Sequence, residues 1–295
     1  MATQEDIESH YDVDNDFFAL FLDEKYRTYT CAVWDGADNL IDAQVNKFKR
    51  LCDYAKIQPN QNVIDVGCGW GGLLKYIADT YNGTKAYGVT LSSNQAEYIN
   101  SLNHKNVSAD NMSWEDVPVS DHKYDAIVSV CALEHFATFE QSEAGVEVQR
   151  GVYKKFFDWC LSVSKPGAHI GIQSIILTRH AETLKELRGA KYLRDKVFPG
   201  SALSSISDIQ AAIVDKYDIV KATTIGKDYV RTLQEWDNGL ERNKEIIISR
   251  YGQALFDHYK LYFSSAIDCF ETGYWDVFQA SLKPTQPTRA FKPKA

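Results

Sequence analysis

The chain has 295 residues and carries 32 Lys and Arg against 40 Asp and Glu, a formal net charge of -8. A nucleic-acid-binding protein needs a basic surface to neutralise phosphates, so this balance excludes a general nucleic-acid binder. Hydrophobic residues make up 44% of the chain and charged residues 24%, which excludes an intrinsically disordered protein. We predict a single domain over residues 1–295.

The chain has no apolar run near the ~20 residues of a membrane-spanning helix, and its acidic beginning, MATQEDIESHYD, lacks the apolar stretch of a signal peptide. These features predict a soluble, cytoplasmic protein. The six cysteines form no CxxC pair, and the seven histidines show no HExxH spacing. The sequence therefore predicts free thiols and no metal site.

Residues 1–60 are predicted to form a helical cap, because apolar residues recur at helical spacing in DNDFFALFLD and LIDAQVNKFKRLCDYAKI. Residues 61–177 then alternate strands and helices. The strands are predicted in NVIDV, AYGVTL, YDAIVSVCAL and AHIGIQSII, and the helices in LLKYIADTY, SSNQAEYINSL and FFDWCLSVS. MSWEDVPV is predicted to be a turn region and KPG a break. This alternation predicts an α/β fold, a doubly wound parallel sheet with helices on both faces.

The alternation of strands and helices ends at Thr178. The basic, helical segment 178–205 is predicted to be an inserted lid over the carboxyl edge of the sheet. Residues 206–282 return to the sheet, with strands in DIVKATTI and VFQASL and long helices between them. The Pro- and Lys-rich residues 283–295 are predicted to be a flexible tail.

The segment GCGWGG follows a predicted strand and opens a predicted helix, and its spacing matches GxGxxG. Such glycines let backbone N–H groups approach a ligand at the edge of an α/β sheet. Two ligands fit this loop, a dinucleotide and S-adenosylmethionine. A nicotinamide cofactor calls for an acidic residue at the end of the second strand, and this strand ends in GVTL. Asp65 lies instead just before the loop, so a dinucleotide is the second interpretation.

Six segments resemble, in this order along the chain, one known family. They are YTCAVWDGADNLIDAQ, VIDVGCGWGG, GVTLSSNQ, IVSVCALEHF, VFPG and KDYVRTL. The chain resembles the cyclopropane fatty acid synthase and mycolic acid cyclopropane synthase family from about His10 to about Leu282. The resemblance implies an S-adenosylmethionine-dependent methyltransferase with the class I, Rossmann-like fold and a seven-stranded sheet.

The resemblance also implies how the methionine part of the cofactor is held. Gly67, Gly69 and Gly71 are expected to lie against it, and Tyr29 and Thr30 to close over it. The family usually has Ser where this chain has Thr30, a change that keeps the hydroxyl group.

The nucleoside part of the cofactor is assigned in the same way. Thr90, Leu91 and Gln95 fall where the family contacts ribose and adenine, so that Gln95 binds hydroxyl groups in place of an acid. Trp114 and Glu115 match the pair that flanks the adenine ring.

The chemistry requires a base. A carbon–carbon double bond that attacks the sulfonium methyl becomes a carbocation, which must lose a proton to close a three-membered ring. The resemblance implies that the base is bicarbonate, held by two backbone groups and three side chains. The matching positions are Cys31, Glu134, Gln173, Ile175 and Tyr229. Four positions match, and Gln173 replaces a His, so it can donate a hydrogen bond but cannot carry a charge.

Alternative functions remain open at this stage. Plant alkaloid N-methyltransferases of the same superfamily use a Glu–His pair, which matches Glu134 and His135 here. The alternatives are therefore N- or C-methylation of a small specialised metabolite, including a prenyl-type alkene, and a cofactor-binding relative without catalysis.

Two further segments bear on the substrate. The stretch between Phe136 and Tyr153 is roughly ten residues longer than is usual in the family, and we expect it to rim the substrate entrance. The lid segment carries six basic residues against three acidic ones, a net charge of +3 from 6 − 3. They are Arg179, Lys185, Arg188, Lys191, Arg194 and Lys196 against Glu182, Glu186 and Asp195. This patch predicts either an anionic docking surface, for a phospholipid head group, an acyl carrier protein or a diphosphate, or a solvated helix face.

Aromatic residues near the end of the chain are expected to line or back the pocket and to stabilise a cation. They are Tyr259, Tyr262, Phe263, Phe270, Tyr274, Trp275 and Phe278. The expected substrate is hydrophobic and unsaturated, on a phospholipid or an acyl carrier, with peripheral membrane contact as an option.

Overall fold

The computed structural model describes residues 14–119 and 124–285 and places seven β-strands of these residues in one sheet. The strands are β1 Asn62–Val66, β2 Lys85–Thr90, β3 Val107–Asn111, β4 Tyr124–Val130, β5 Ser164–Leu177, β6 Tyr217–Thr224 and β7 Trp275–Pro284. Their order in the sheet is β3-β2-β1-β4-β5-β7-β6. The predicted α/β class, with a Rossmann-like sheet, is confirmed.

Strand β7 is the exception to the parallel sheet that the sequence predicted. β1 to β5 pair in parallel, whereas β7 lies between β5 and β6 and pairs antiparallel with both. A parallel neighbour needs a long crossover, but β7 follows a helix that ends beside the same sheet edge, so the chain returns in the opposite direction. The sheet is therefore mixed.

Eleven α-helices occur in the described residues, together with short 3₁₀ turns and one π-turn, Leu193–Val197. The helices are α1 Asn15–Ala19, α2 Leu40–Tyr54, α3 Gly72–Thr80, α4 Ser93–Ser101, α5 Phe139–Glu143, α6 Val146–Val163, α7 Leu184–Tyr192, α8 Ile206–Ile213, α9 Gly226–Arg242, α10 Lys244–Tyr251 and α11 Gln253–Glu271.

The helices form layers on the two faces of the sheet because strand residues alternate between them. In β1, Val63 packs with the core of α2 and α3, whereas Ile64 and Val66 pack with the core of α6 and α8. The helices on both faces that the sequence predicted are thus confirmed. A third, aromatic-rich core joins α1, α9, α10 and α11 above the carboxyl edge of the sheet.

Several local predictions differ from the structure. β3, with the sequence VSADN, was missed because only one of its five residues is fully buried and it shows no apolar alternation. α6 begins at Val146 rather than at Phe156, and the KPG segment lies within β5. The segment between Phe136 and Tyr153 is helical, in α5 and the start of α6, and α8 was also missed.

The beginning of the predicted tail differs from the structure. β7 runs to Pro284, so two residues of the predicted tail belong to the sheet, because their backbone pairs with Tyr217 and Asp218. The rest of the predicted tail, residues 286–295, and the beginning of the predicted cap, residues 1–13, lie outside the described residues.

Candidate active site

Two adjoining cavities open at the carboxyl ends of β1, β4 and β5, where α/β sheets bind their ligands. The large cavity has a volume of about 530 Å³ and the small cavity about 100 Å³. The two share a wall formed by Gly67, Gly69, Gln95, Cys131 and His135. This shared wall makes them neighbouring parts of one site.

The glycine loop forms the floor of the site through backbone conformations that favour glycine. Gly67 has a φ of 81°, and a Cβ there would lie 2.5 Å from the Cβ of Ala132. Gly69, with a φ of 54°, also lines both cavities. Gly71 lines neither described cavity; it caps α3 at a φ of 75°, and a Cβ there would lie 2.8 Å from Ile99.

The small cavity gathers most residues that the resemblance assigned to the nucleoside. Thr90, Leu91, Gln95 and Trp114 all line it. Ser92 caps α4 by accepting a hydrogen bond from the Gln95 backbone, and Thr90 donates to Gln95 Oε1 over 2.7 Å, so the amide is fixed in place. Glu115 differs from the expectation: its side chain is exposed and lines neither cavity.

Helix α2 holds the segment that the resemblance places over the cofactor. Gln44 Nε2 donates to the Thr30 carbonyl over 3.0 Å, and Lys47 Nζ donates to Thr30 Oγ1 over 2.6 Å. Because an ammonium group only donates, Thr30 Oγ1 accepts there and keeps its own proton for another partner. Burial lowers the pKa of Lys47 to about 8. Tyr29 lines the large cavity beside Thr30.

Gln44 and Lys47 were not predicted as site residues. The signal was their spacing of three residues on one helix face, among apolar neighbours that bury both side chains completely.

Asp65 lies near the end of β1, just before the glycine loop. Its side chain is 2% exposed and lines the large cavity, and Oδ1 has no hydrogen-bond partner among the described residues. Burial raises the pKa of this carboxyl to about 7, although the Lys47 ammonium opposes the shift.

On the other side of the large cavity, the segments that end β4 and β5 form the wall around Glu134, the candidate proton acceptor. Glu134 lies in a 3₁₀ turn after β4, and its Oε1 accepts a hydrogen bond from the Ile175 backbone N–H over 2.5 Å. Its Oε2 is buried and has no hydrogen-bond partner within residues 14–119 and 124–285. Burial raises the pKa of Glu134 to about 7.

Gln173 lies fully buried behind the cavity lining and lines neither cavity itself. Its Nε2 donates over 3.4 Å both to the Cys31 carbonyl and to Cys131 Sγ, and its Oε1 accepts from Gln279 Nε2 over 2.7 Å. The structure thus brings together Cys31, Glu134, Gln173 and Ile175, four of the five positions that the resemblance assigned to bicarbonate.

Tyr229, the fifth position, lines the large cavity from α9. Its ring packs against Phe270 and Trp236, with ring centroids 4.8 and 5.9 Å away, and burial raises the pKa of its hydroxyl. Of the seven aromatic residues predicted near the pocket, three line it and the others lie behind them or elsewhere. The three that line it are Tyr262, Tyr274 and Trp275. Phe278 belongs to the core on the opposite face of the sheet.

His135 and Cys131 lie in the wall that the two cavities share. His135 Nδ1 is hydrogen-bonded to Ser201 Oγ over 2.7 Å, and desolvation lowers the pKa of the ring to about 4. Cys131 was not predicted as a site residue. It has a φ of 54°, a left-handed conformation that costs a non-glycine residue about 1–2 kcal/mol.

The lid segment forms the outer wall of the large cavity, together with the longer segment after Phe136. Lid residues Leu187, Leu193 and Phe198 face Phe139 and Ser142 of α5 across its lining. Arg194 lies over the Phe139 ring, 4.1 Å from its centroid.

Most of the basic patch is paired within the protein. Arg179 pairs with Glu186, Lys185 with Asp268, and both Lys191 and Arg194 with Asp195. This pairing favours a mostly neutralised helix face over the anionic docking surface that the sequence also allowed.

All six cysteines are free thiols, five of them buried. Over the described parts of the chain, no helix combines the length and apolar character needed to cross a membrane. The same residues contain no group of three or more His, Cys, Asp or Glu side chains arranged to hold a metal ion.

Comparison with known proteins finds one family. The family model of mycolic acid cyclopropane synthetase matches residues 1–280. Cyclopropane mycolic acid synthase 2 of Mycobacterium bovis is 30% identical over 94% of this chain and 94% of its own length.

Solved structures of cyclopropane synthases are also similar to this chain. The cyclopropane synthase MmaA2 from Mycobacterium tuberculosis, 26% identical, matches 95% of this chain and 98% of its own with a TM-score of 0.85. Mycolic acid cyclopropane synthase CmaA1, complexed with SAH and CTAB, is 27% identical and matches the same shares with a TM-score of 0.84.

Proposed function

This chain belongs to the mycolic acid cyclopropane synthetase family and is an S-adenosylmethionine-dependent methyltransferase, and on that premise we propose that it methylates an alkene carbon of a hydrophobic, lipid-like substrate. One observation carries the proposal. A buried carboxylate, Glu134, and an aromatic wall share the large cavity with the glycine loop, so an apolar acceptor can meet the methyl donor next to a proton acceptor.

Bound S-adenosylmethionine supplies an electrophilic methyl group on a sulfonium ion. The chain's own residues position it in this proposal: Gly67 and Gly69 against the methionine part, with Thr30 over it. Asp65 orders the turn below the loop. The small cavity takes the nucleoside between Gln95 and Trp114, near the Thr90 hydroxyl and Leu91.

The acceptor side has a different task, which is to tolerate positive charge and to remove a proton. Tyr229, Tyr262 and Trp275 line the large cavity, and aromatic rings can stabilise a carbocation. The C–H bond that breaks leaves its electron pair to close the three-membered ring, so the expected product is a cyclopropane. We also propose that the segment 178–205 acts as the lid that excludes water during this step.

Bicarbonate stays a prediction of the resemblance, and the residues as placed do not fit the ion. The Ile175 N–H already donates to Glu134. The NH₂ group and the oxygen of the Gln173 amide are both hydrogen-bonded within the protein. An anion here would also lie next to the Glu134 carboxylate, with Gln173 supplying no positive charge.

An amine acceptor is the second candidate, and His135 favours it. The ring stays neutral at pH 7 because desolvation lowers its pKa, and Ser201 fixes its orientation beside Glu134. A neutral imidazole can accept the proton that a methylated amine releases.

The test uses purified protein, methyl-¹³C S-adenosylmethionine and a panel of unsaturated phospholipids, acyl-carrier-bound acyl chains, prenyl compounds and amines. NMR distinguishes the products, since a cyclopropane and a methylated alkene have the same mass. High-field ring-methylene signals from a lipid substrate would support the proposal. Label found only in N-methyl groups would favour the second candidate, and no labelled product with any acceptor would refute both.

A further inference from the structure

The thiol of Cys131 belongs to the wall of the large cavity that also holds Glu134. Gln173 Nε2 donates to this sulfur over 3.4 Å, and the Glu134 carboxylate is the charge that acts on it most strongly. Burial, and after it the Glu134 carboxylate, raises the pKa of Cys131 well above its ordinary value, so the group is a thiol with a proton to share. The thiol thus interacts with two groups that the resemblance assigned to bicarbonate.

The orientation of the Gln173 amide group is set by two residues that do not line the large cavity, Arg50 and Gln279. Arg50 Nη1 on α2 donates to Gln279 Oε1 over 3.2 Å. Because a guanidinium only donates, Gln279 must turn its oxygen to Arg50 and its NH₂ group to Gln173. Gln173 then turns its own oxygen to Gln279 and its NH₂ group towards Cys131 and Cys31. Arg50 and Gln279 are therefore positioning residues for the amide.

The backbone conformation of Cys131 is energetically unfavourable for a residue other than glycine. Its φ of 54° suits glycine, and its backbone N–H is tied to the Gln173 carbonyl over 2.7 Å. A side chain kept in such a conformation at the wall shared by both cavities indicates a functional constraint.

We infer that the Cys131 thiol takes the place of the bicarbonate ion and relays the proton from the substrate to Glu134. The C–H bond of the methyl-derived carbon breaks, and its electron pair closes the ring. Its proton passes to Cys131 Sγ as the thiol's own proton passes to the Glu134 carboxylate, which releases it after the product leaves. The step needs no added ion. This inference rests on the proposed function, alkene methylation.

Cys131→Gly tests the relay because glycine removes the sulfur and suits the local backbone. We expect thermal stability to be kept or raised, while turnover in carbonate-free buffer falls by at least about 10²-fold, the usual contribution of a proton-transfer group. Turnover of this variant is measured in carbonate-free buffer and with added bicarbonate, which should not restore it because the Ile175 N–H stays engaged by Glu134. Lys56→Gly is the matched control: Lys56 has a φ of 56° on the exposed surface, so it tests the backbone change alone.

Wild-type protein is measured in the same two buffers. Turnover that is equal with and without bicarbonate supports the inference, and turnover that depends on bicarbonate overturns it. A Cys131→Gly variant as active as wild type in carbonate-free buffer would also overturn it. If no buffer gives a methylated alkene or a cyclopropane, the proposed function itself has failed, which is a distinguishable outcome.

Discussion

The cofactor side and the acceptor side of the site are built in different ways. On the cofactor side, positive-φ glycines, a helix cap and short-range bonds such as Thr90 to Gln95 shape the wall. On the acceptor side, hydrogen bonds join side chains that are far apart in the chain, such as Gln173 and Gln279. The first kind of wall depends on the backbone and changes little with side-chain identity. The second can change its chemistry through a few substitutions.

Glu134→Gln should separate the two sides most strongly. We expect kcat to fall by about 10²–10⁴-fold because a proton acceptor is lost, while affinity for S-adenosylmethionine is kept. Turnover is measured by product NMR and affinity by calorimetry. Loss of cofactor affinity to the same degree would contradict the division between the two sides.

Gly67→Ala should damage the cofactor side. The variant combines a left-handed φ, which costs about 1–2 kcal/mol, with a Cβ that overlaps Ala132, which costs about 1–3 kcal/mol more. Gly69→Ala is the control, since its Cβ meets no atom within 4 Å and only the first cost applies. Urea unfolding measures both variants, and an equal loss would mean that the close contact with Ala132 has no energetic effect.

Leu193→Ala should loosen the lid on the acceptor side. Leu193 is 1% exposed and lines the large cavity, so we expect a loss of about 2–3 kcal/mol in stability and a raised KM for the acceptor. Leu184→Ala on the same lid is the control, since this side chain is 69% exposed. A change in KM for the cofactor alone would show that the lid belongs to the cofactor side and contradict this prediction.

Asp65→Asn should change how stability depends on pH. The folded pKa is about 7 against an ordinary 3.8, so between about pH 4 and 7 the native state holds a proton that the unfolded state has lost. The free energy of unfolding therefore falls as pH rises through this range, by up to about 1.4 kcal/mol per pH unit, and levels off above it.

The variant should lack this contribution. Subtracting its curve from that of wild type isolates Asp65, because Glu134 and His135 titrate in the same range in both proteins. Identical slopes in urea unfolding from about pH 4 to 7 would show that Asp65 is charged in the native state.

Arg194→Gln should have the smallest effect. It removes the cation over Phe139 at the cavity mouth, worth about 0.5–1 kcal/mol, and should raise the acceptor KM slightly. Arg231→Gln removes a similar contact over Trp34 outside both cavities and should cost stability without touching KM. Equal KM values in the two variants would exclude a role for this contact at the entrance.

Local sequence patterns located the backbone of the cofactor side, whereas the contacts of the acceptor side join residues that are far apart in the chain. The strand, glycine loop and Ser92 cap follow from neighbouring residues, so periodicity and turn chemistry locate them. Gln279 orients Gln173 from 106 residues away, which no local pattern reveals. β3 and the start of α6 were missed because polar residues interrupt their apolar patterns.

Strand β7 has a consequence for synthesis of the chain on the ribosome. Among the described strands, β6 lies at the edge of the sheet with β7 as its one neighbour, and β7 is made last of the seven. β6 therefore waits unpaired while α9, α10 and α11 are translated. Until residue 284 leaves the exit tunnel, β5 also exposes an open edge, which another chain could occupy. The nascent protein is thus most exposed to aggregation just before β7 emerges.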